Sequence, residues 1–190
     1  ISEASLPLAK TLQGELKDAL IYTKNEWEGC ISIASYHRFM EEHFNDFESI
    51  IFIGALGICV RSMAGCLTNK YKDPAVVCVD STGRFVISVL SGHVGGANEL
   101  TRHIAGITGG EAVITTQSDN AGLWALDILA TAYGWKTAVA HTEMNRMITL
   151  FVNRKPTALL LDIKDKGTDY LERTLPEHAK VFYHFEDIPQ

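Results

Sequence analysis

SIIFIG (49–54) is a short, unbroken apolar run closed by a glycine. That pattern suits a strand buried on both faces, and strands of that kind belong to sheets covered by helices on either side. The segments around it support this. ALGICVRSMAGCL follows with helical spacing, and AVVCVD (75–80) and FVISVL (85–90) flank STGR (81–84) as a hairpin. Gly83 supplies the positive φ that such a turn demands. Glu99 to Ile107 is helical in spacing, AVITT (112–116) reads as a strand, and LWALDILATAYG (123–134) as a helix stopped by Gly134. Earlier, SLPLAKTLQGEL reads as a helix capped by Ser2 or Ser5, ALIYT (19–23) as a strand, and Tyr36 to Phe47 as a helix with Phe39, Met40, His43 and Phe44 on one side. Later, MNRMITLFVNR is helical, and TALLLDI (157–163) and VFYHF are strands. The alternation predicts an α/β fold: a mostly parallel sheet with helices on both faces and an inserted β-hairpin. A composition shift near Trp135 divides the chain into an α/β domain over 1–135 and a smaller, partial α/β domain over 136–190. The start is abrupt, because an α/β unit normally opens with a strand; the expectation is a piece of a longer polypeptide.

Composition narrows the function. The 190 residues carry a formal net charge of −6, which disfavours a non-specific nucleic-acid binder. No stretch is apolar and long enough to span a bilayer, and no signal-peptide pattern opens the chain. Cys30, Cys59, Cys66 and Cys78 show no Cys-x-x-Cys spacing; they read as buried reduced thiols, with Cys59 and Cys66 on one helix face, and imply a cytoplasmic setting. The seven histidines form no metal-ligand pattern, so no protein-bound metal and no cofactor is expected.

In open α/β sheets, ligands gather beyond the carboxyl ends of the strands. Three such ends are unusual here: GALGICVR, SGHVGGAN (91–98) and TTQSDN (115–120). In SGHVGGAN, Gly92, Gly95 and Gly96 let a ligand approach the backbone, and a following helix N-terminus offers amides to an anion. Ser91 and Asn98 add hydrogen-bonding side chains; the alternative is a tight turn that they cap. His93 has the imidazole for proton transfer near neutral pH, or is a hydrogen-bonded turn residue. Arg61, in an apolar helix, either clamps a carboxylate or pairs with Asp73 or Asp80. Lys70 extends a cationic rim or is solvated. Asp119 caps a helix or does acid–base work. Thr115 and Thr116 line the third strand end. Gly-x-x-x-x-Gly-Lys-Ser/Thr and Gly-x-Gly-x-x-Gly are both missing, which weakens a nucleotide-binding reading.

Three segments in order, IFIGALGICVRSMAG, NKYKDPAVVCVDSTGRFVISVLSGHVGGANELTRHIA and AVITTQSD, resemble the N-terminal part of the CbiG family, the cobalamin-biosynthesis G proteins of the anaerobic pathway. The resemblance covers about residues 50 to 135, and the region from 136 is similar to the start of the family's middle domain. It implies a cobalt-precorrin-5A hydrolase, which opens the δ-lactone on the contracting corrin ring and releases a two-carbon fragment as acetaldehyde, giving cobalt-precorrin-5B. Cobalt then belongs to the substrate. The implied partners are the corrinoid and other cobalamin-biosynthesis domains or enzymes, including a precorrin methyltransferase fused to some relatives; nucleic acid and membrane are not among them. A macrocycle fringed with carboxylates suits amide donors and cations. Under this reading His93 or Asp119 is the catalytic base, and Arg61, Lys70, Ser91, Gly92, Gly95, Gly96, Asn98, Thr115 and Thr116 bind substrate. The competing reading is a non-catalytic corrinoid-binding module.

Overall fold

The computed structural model describes residues 2–189, the side chain of Ala132 excepted. The chain forms two compact units, Ile1–Thr115 and Thr116–Gln190.

The first unit opens with a 3-10 turn, Glu3–Ser5, leading into α1 (Leu6–Glu15). Pro7 sits in the first turn of that helix, where its missing N–H costs nothing. Neither Ser2 nor Ser5 caps by its side chain; their hydroxyls bond each other at 2.9 Å. β1 (Tyr22–Thr23) and β2 (Ile31–Ser32) form a small parallel pair. α2 (Tyr36–His43) runs into a 3-10 turn and then β3 (Ser49–Ile53), followed by α3 (Leu56–Met63). β4 (Ala75–Val79) and β5 (Phe85–Leu90) make the expected hairpin, α4 (Ala97–Thr108) follows, and β6 (Glu111–Val113) completes a sheet in the order β3-β4-β5-β6. β3 runs parallel to β4 and β5 to β6, while β4 and β5 are antiparallel.

β4 is buried along its whole length, and its period-2 alternation divides the core. Ala75, Val77 and Val79 pack with Ala9 and Leu12 of α1 and Ala97, Ile104 and Ala105 of α4. Val76 and Cys78 pack on the other face with Met40 of α2, Phe44 and Cys59 and Met63 of α3. Helices therefore cover both faces, as the apolar runs demand.

In the second unit, α5 (Gln117–Ala121), α6 (Leu126–Ala132) and α7 (His141–Val152) precede β7 (Thr157–Leu160), α8 (Thr168–Arg173) and β8 (Ala179–Phe182). β7 and β8 are parallel. Phe151 and Leu171 are its buried anchors, and Trp124 stacks on Phe151 at 6.1 Å. The expected single helix over 123–134 is shorter: Gly122, at φ 64°, ends α5 in the left-handed conformation, and a new helix starts at Leu126. AVITT likewise stops at Val113, so Thr115 and Thr116 lie beyond the strand. Among the described residues no helix is long and apolar enough to cross a membrane.

Candidate functional site

β5 reaches its carboxyl end at Leu90, and the next residue turns sharply. Ser91 has φ 56°, a left-handed conformation that a non-glycine side chain rarely adopts. The strand geometry does not persist, so Ser91 and His93 do not share a face in the way a continued strand would allow. Ser91 is buried, and its hydroxyl donates to the Asp73 carbonyl at 2.8 Å. This bond ties the glycine loop to the segment before β4. That segment is itself pinned, because the buried Asp73 carboxylate accepts from the Thr68 amide at 2.9 Å and the Thr68 hydroxyl at 2.5 Å.

Asn98 is buried as well, and its side-chain oxygen accepts the Ser88 hydroxyl at 2.7 Å. The glycines fit around these two side chains. A Cβ on Gly92 would come within 2.8 Å of the Asn98 amide oxygen. On Gly95 it would lie 2.5 Å from the Ser91 Cβ and 2.9 Å from the Ser91 carbonyl oxygen, so no side chain fits. Gly96 is the residue before α4 and needs its φ of 84°.

The loop also engages its own amides. Gly96 N–H donates to the His93 carbonyl at 3.0 Å, Ala97 N–H to the Ser91 carbonyl at 3.2 Å, and Asn98 N–H to the Gly92 carbonyl at 2.9 Å. This corrects the expectation of open donors at the helix N-terminus: the Gly96 amide is not one, and the Ser91 and Asn98 side chains face inward. The tight-turn alternative describes those two residues. The outer part of the loop differs, since Val94 and Gly95 are exposed and His93 is half-buried.

Arg61 is exposed on α3, with its guanidinium folded over Gly57. It makes no ion pair with Asp73 or Asp80. Asp73 is held by Thr68. Asp80 closes the hairpin turn by accepting from the Phe85 amide at 2.6 Å, the Thr82 hydroxyl at 2.5 Å and the Thr82 amide at 2.9 Å. Burial pushes the Asp80 carboxyl upward, but these donors outweigh it and hold it below its ordinary value. Lys70 is half-buried, with its ammonium 5.0 Å from the Tyr71 ring centroid. Arg61, Lys70, His93, the loop glycines, Ser91, Asn98 and Thr115 all belong to the first unit. Thr116 and Asp119 belong to the second, where the Thr116 hydroxyl donates to Asp119 Oδ2 at 2.6 Å at the start of α5. Thr116 is the residue before α5 but caps no amide by its side chain, and Asp119 lies within the helix, so the expected capping role of Asp119 is not what the structure holds.

The cysteines are all free thiols. The Cys59 thiol faces that of Cys78 across the α3–β4 contact, and the hydrogen bond with Cys78, together with burial, raises the Cys59 thiol. Cys78 Sγ also reaches the Gly54 carbonyl at 3.4 Å. Cys66 lies past the end of α3, so it does not share a helical face with Cys59, although it packs on the same cluster. Among the described residues no group of three His, Cys, Asp or Glu side chains is placed to hold a metal ion.

Sequence reasoning missed a hollow of about 660 Å³ beside β2 and α2, lined in part by Tyr22, Phe39, Phe47, Arg38 and His43. Its Arg38 and His43 side chains are already engaged, Arg38 paired with Glu42 and His43 Nδ1 hydrogen-bonded to Asp46, each at 2.8 Å. The hollow joins segments separated in sequence, and no local pattern marks it.

In open α/β sheets ligands gather beyond the carboxyl ends of the strands, which is where this glycine-rich junction lies. The comparisons make this specific. Residues 38–119 match the family model described as cobalamin synthesis G N-terminal, and residues 124–187 match that of the cobalamin biosynthesis central region. The chain belongs to the CbiG family. It is 42% identical over 119 residues to a cobalt-precorrin-5A hydrolase of Salmonella typhimurium, covering 63% of this chain and 34% of that protein. It is 37% identical over 139 residues to a cobalt-precorrin-5A hydrolase of Priestia megaterium, covering 73% of this chain and 37% of that one. The fold is also similar to a solved structure described as a cobalamin biosynthesis protein G homologue from Sulfolobus solfataricus, with TM-score 0.50 and 19% identity over 94% of this chain and 50% of that chain. The chain thus spans little more than a third of the length of the two hydrolases.

Proposed function

We propose that this chain acts in cobalt-precorrin-5A hydrolysis in the anaerobic route to cobalamin. The observation that carries the reading is the tandem match of the two family models across residues 38–187, joined to two relatives named for that activity. The substrate is a flat macrocycle rimmed by carboxylates, with cobalt as its own cargo. Exposed Arg61 is available to one carboxylate, and Lys70 lies on the segment that Ser91 ties to the glycine loop. Lactone opening adds water to the acyl carbon through a tetrahedral oxyanion, which then expels the ring oxygen to leave a carboxylate and a hydroxyl. The two-carbon fragment leaves as acetaldehyde, giving cobalt-precorrin-5B.

His93 is the favoured base. It is half-buried in the loop, next to the exposed Val94 and Gly95. Asp119 is the second candidate; its carboxylate already accepts the Thr116 hydroxyl at 2.6 Å. Thr115 and Thr116 remain candidate contacts beyond β6. The test is incubation of cobalt-precorrin-5A with the longest polypeptide of this gene, with aldehyde trapping and mass spectrometry. His93→Gln is expected to slow acetaldehyde release by about 10²–10⁴-fold; full turnover removes His93 as base.

One observation favours a second reading, a corrinoid-binding module. The Gly96, Ala97 and Asn98 amides are engaged within the loop, leaving fewer oxyanion donors than the sequence promised. Under that reading the corrinoid binds tightly, and substitution of both His93 and Asp119 leaves the rate of aldehyde release unchanged.

A further inference from the structure

β5 runs against β4, and this decides what lies beside the glycine loop. Ile53 pairs with Val79 and Val79 with Val86, whereas Leu90 pairs with Val76. The carboxyl ends of β3 and β4 therefore lie at one end of the sheet, and that of β5 lies at the other. α3, which starts just after β3, begins at the far end from SGHVGGAN. The segment that shares the loop's end is the one leading into β4.

That segment is a closed turn. Asp73 is buried, and its two carboxylate oxygens accept the Thr68 amide at 2.9 and 3.2 Å, while the Thr68 hydroxyl donates at 2.5 Å. Within the turn, the Asn69 carbonyl accepts the Lys72 and Asp73 amides, each at 3.0 Å, and Asn69 Oδ1 accepts the Tyr71 amide at 3.0 Å. Lys70 and Tyr71 stand at the tip, with the ammonium 5.0 Å from the ring centroid. A charged acceptor makes such bonds about twice as strong as a neutral one. The turn is therefore stiff at its root, where Asp73 and Thr68 meet.

The same residue holds the glycine loop. The Asp73 carbonyl accepts the Ser91 hydroxyl at 2.8 Å. A Cβ on Gly95 would lie 3.3 Å from the Ala75 nitrogen, so the loop is also packed on the backbone two residues further on. Asp73 thus fixes the Lys70 turn by its side chain and the Ser91–Gly95 loop by its main chain.

We propose that Asp73 is a positioning residue: acting through Thr68, it sets Lys70 at a fixed offset from the glycine loop, and the two grip one ligand at two points. Lys70 takes a peripheral carboxylate of the macrocycle, and the loop with His93 takes its reacting edge. This rests on the hydrolase reading above. It makes the Lys70 turn a specificity element, because an amidated side chain offers an ammonium no charge. Corrinoids with a free carboxylate at that edge are preferred over amidated ones.

Equilibrium titration of the longest polypeptide of this gene with two stable cobalt corrinoids tests it. The probes are cobyrinic acid, with free carboxylates, and cobinamide, with amidated side chains. Lys70→Met should weaken cobyrinic acid by about tenfold or more and leave cobinamide unchanged. Thr68→Val keeps the amide bond and loses the hydroxyl; it should weaken cobyrinic acid about three- to tenfold, and Thr68→Ser should restore it. The double variant Lys70→Met, Thr68→Val should bind as Lys70→Met does, since Thr68 acts through Lys70. Asp73→Ala endangers the fold, so the Thr68 substitutions carry the test. Equal losses for both corrinoids, additive losses in the double variant, or no effect of Lys70→Met each overturn the proposal. The acetaldehyde assay on the native protein separates the failures. Turnover with any of those three outcomes rejects Asp73 as a positioning residue alone, whereas a native protein that neither binds cobyrinic acid nor releases acetaldehyde rejects the hydrolase reading as well.

Discussion

The junction after β5 and the junction after β6 look alike in sequence: each leaves an apolar strand through hydroxyl, glycine or amide residues and enters a helix. They are built differently. After β5, Ser91 and Asn98 are buried at 7% and 3% exposure and hold the loop from inside, with glycines filling the space that their side chains leave. After β6, Thr116 and Asp119 bond each other at the start of a five-residue helix, and Asp119 stays half-buried. The first is a fixed bracket with Val94 and Gly95 exposed on its outer side and His93 half-buried. The second is a local helix start. Polar residues beyond a strand end are therefore poor guides to ligand contact until their direction is known.

The strongest way to break this contrast is to fill the bracket. Gly95→Ala sets a methyl against the Ser91 Cβ and carbonyl, neither of which can yield without disturbing the Ser91–Asp73 bond. Urea unfolding should report a loss of about 3 kcal/mol. A loss under about 0.5 kcal/mol would show that the loop is pliant. Asn98→Ala comes next. It leaves the Ser88 hydroxyl without its acceptor and opens a buried space, for about 2 kcal/mol by the same measurement. At the other junction, Thr116→Ala removes only a hydroxyl–carboxylate contact beside a short helix, and should cost about 0.5–1 kcal/mol. If Thr116→Ala proved as damaging as Asn98→Ala, the distinction between bracket and helix start would fail.

The same contrast explains what was legible beforehand. The alternation of β3, α3, the β4–β5 hairpin, α4 and β6 follows from residues that act on their near neighbours: apolar runs, Gly83 in the turn, helical spacing after Gly96. α5 was not expected, although Gly122 after it is a standard left-handed helix stop. Nor was β2. Its two residues are held by Ile31 N–H on the Ile21 carbonyl and Ile33 N–H on the Thr23 carbonyl, partners about ten positions away. The site divides on the same line. That SGHVGGAN is a special turn was visible from its glycines. That Ser91 points to Asp73, eighteen residues earlier, depends on the bulge between Val76 and Val77 and on the fold of 68–73, which no local pattern encodes.

The smallest effect concerns the turn that joins β4 to β5, at the end of the hairpin away from the bracket. Asp80 accepts from three groups there, and its carboxyl lies below its ordinary value in the folded chain. A carboxyl depressed by folding adds stability above its unfolded value, about pH 4, and loses that contribution as pH falls through the lower folded value. The Asp80→Asn variant lacks this dependence, so the gap between native and variant melting temperatures should be constant from pH 7 to about pH 5 and should close below about pH 4. Asp80 is partly exposed, and solvent screening keeps the gap to a degree or two. A gap that widens on acidification would mean that the turn is not held by the charged carboxylate.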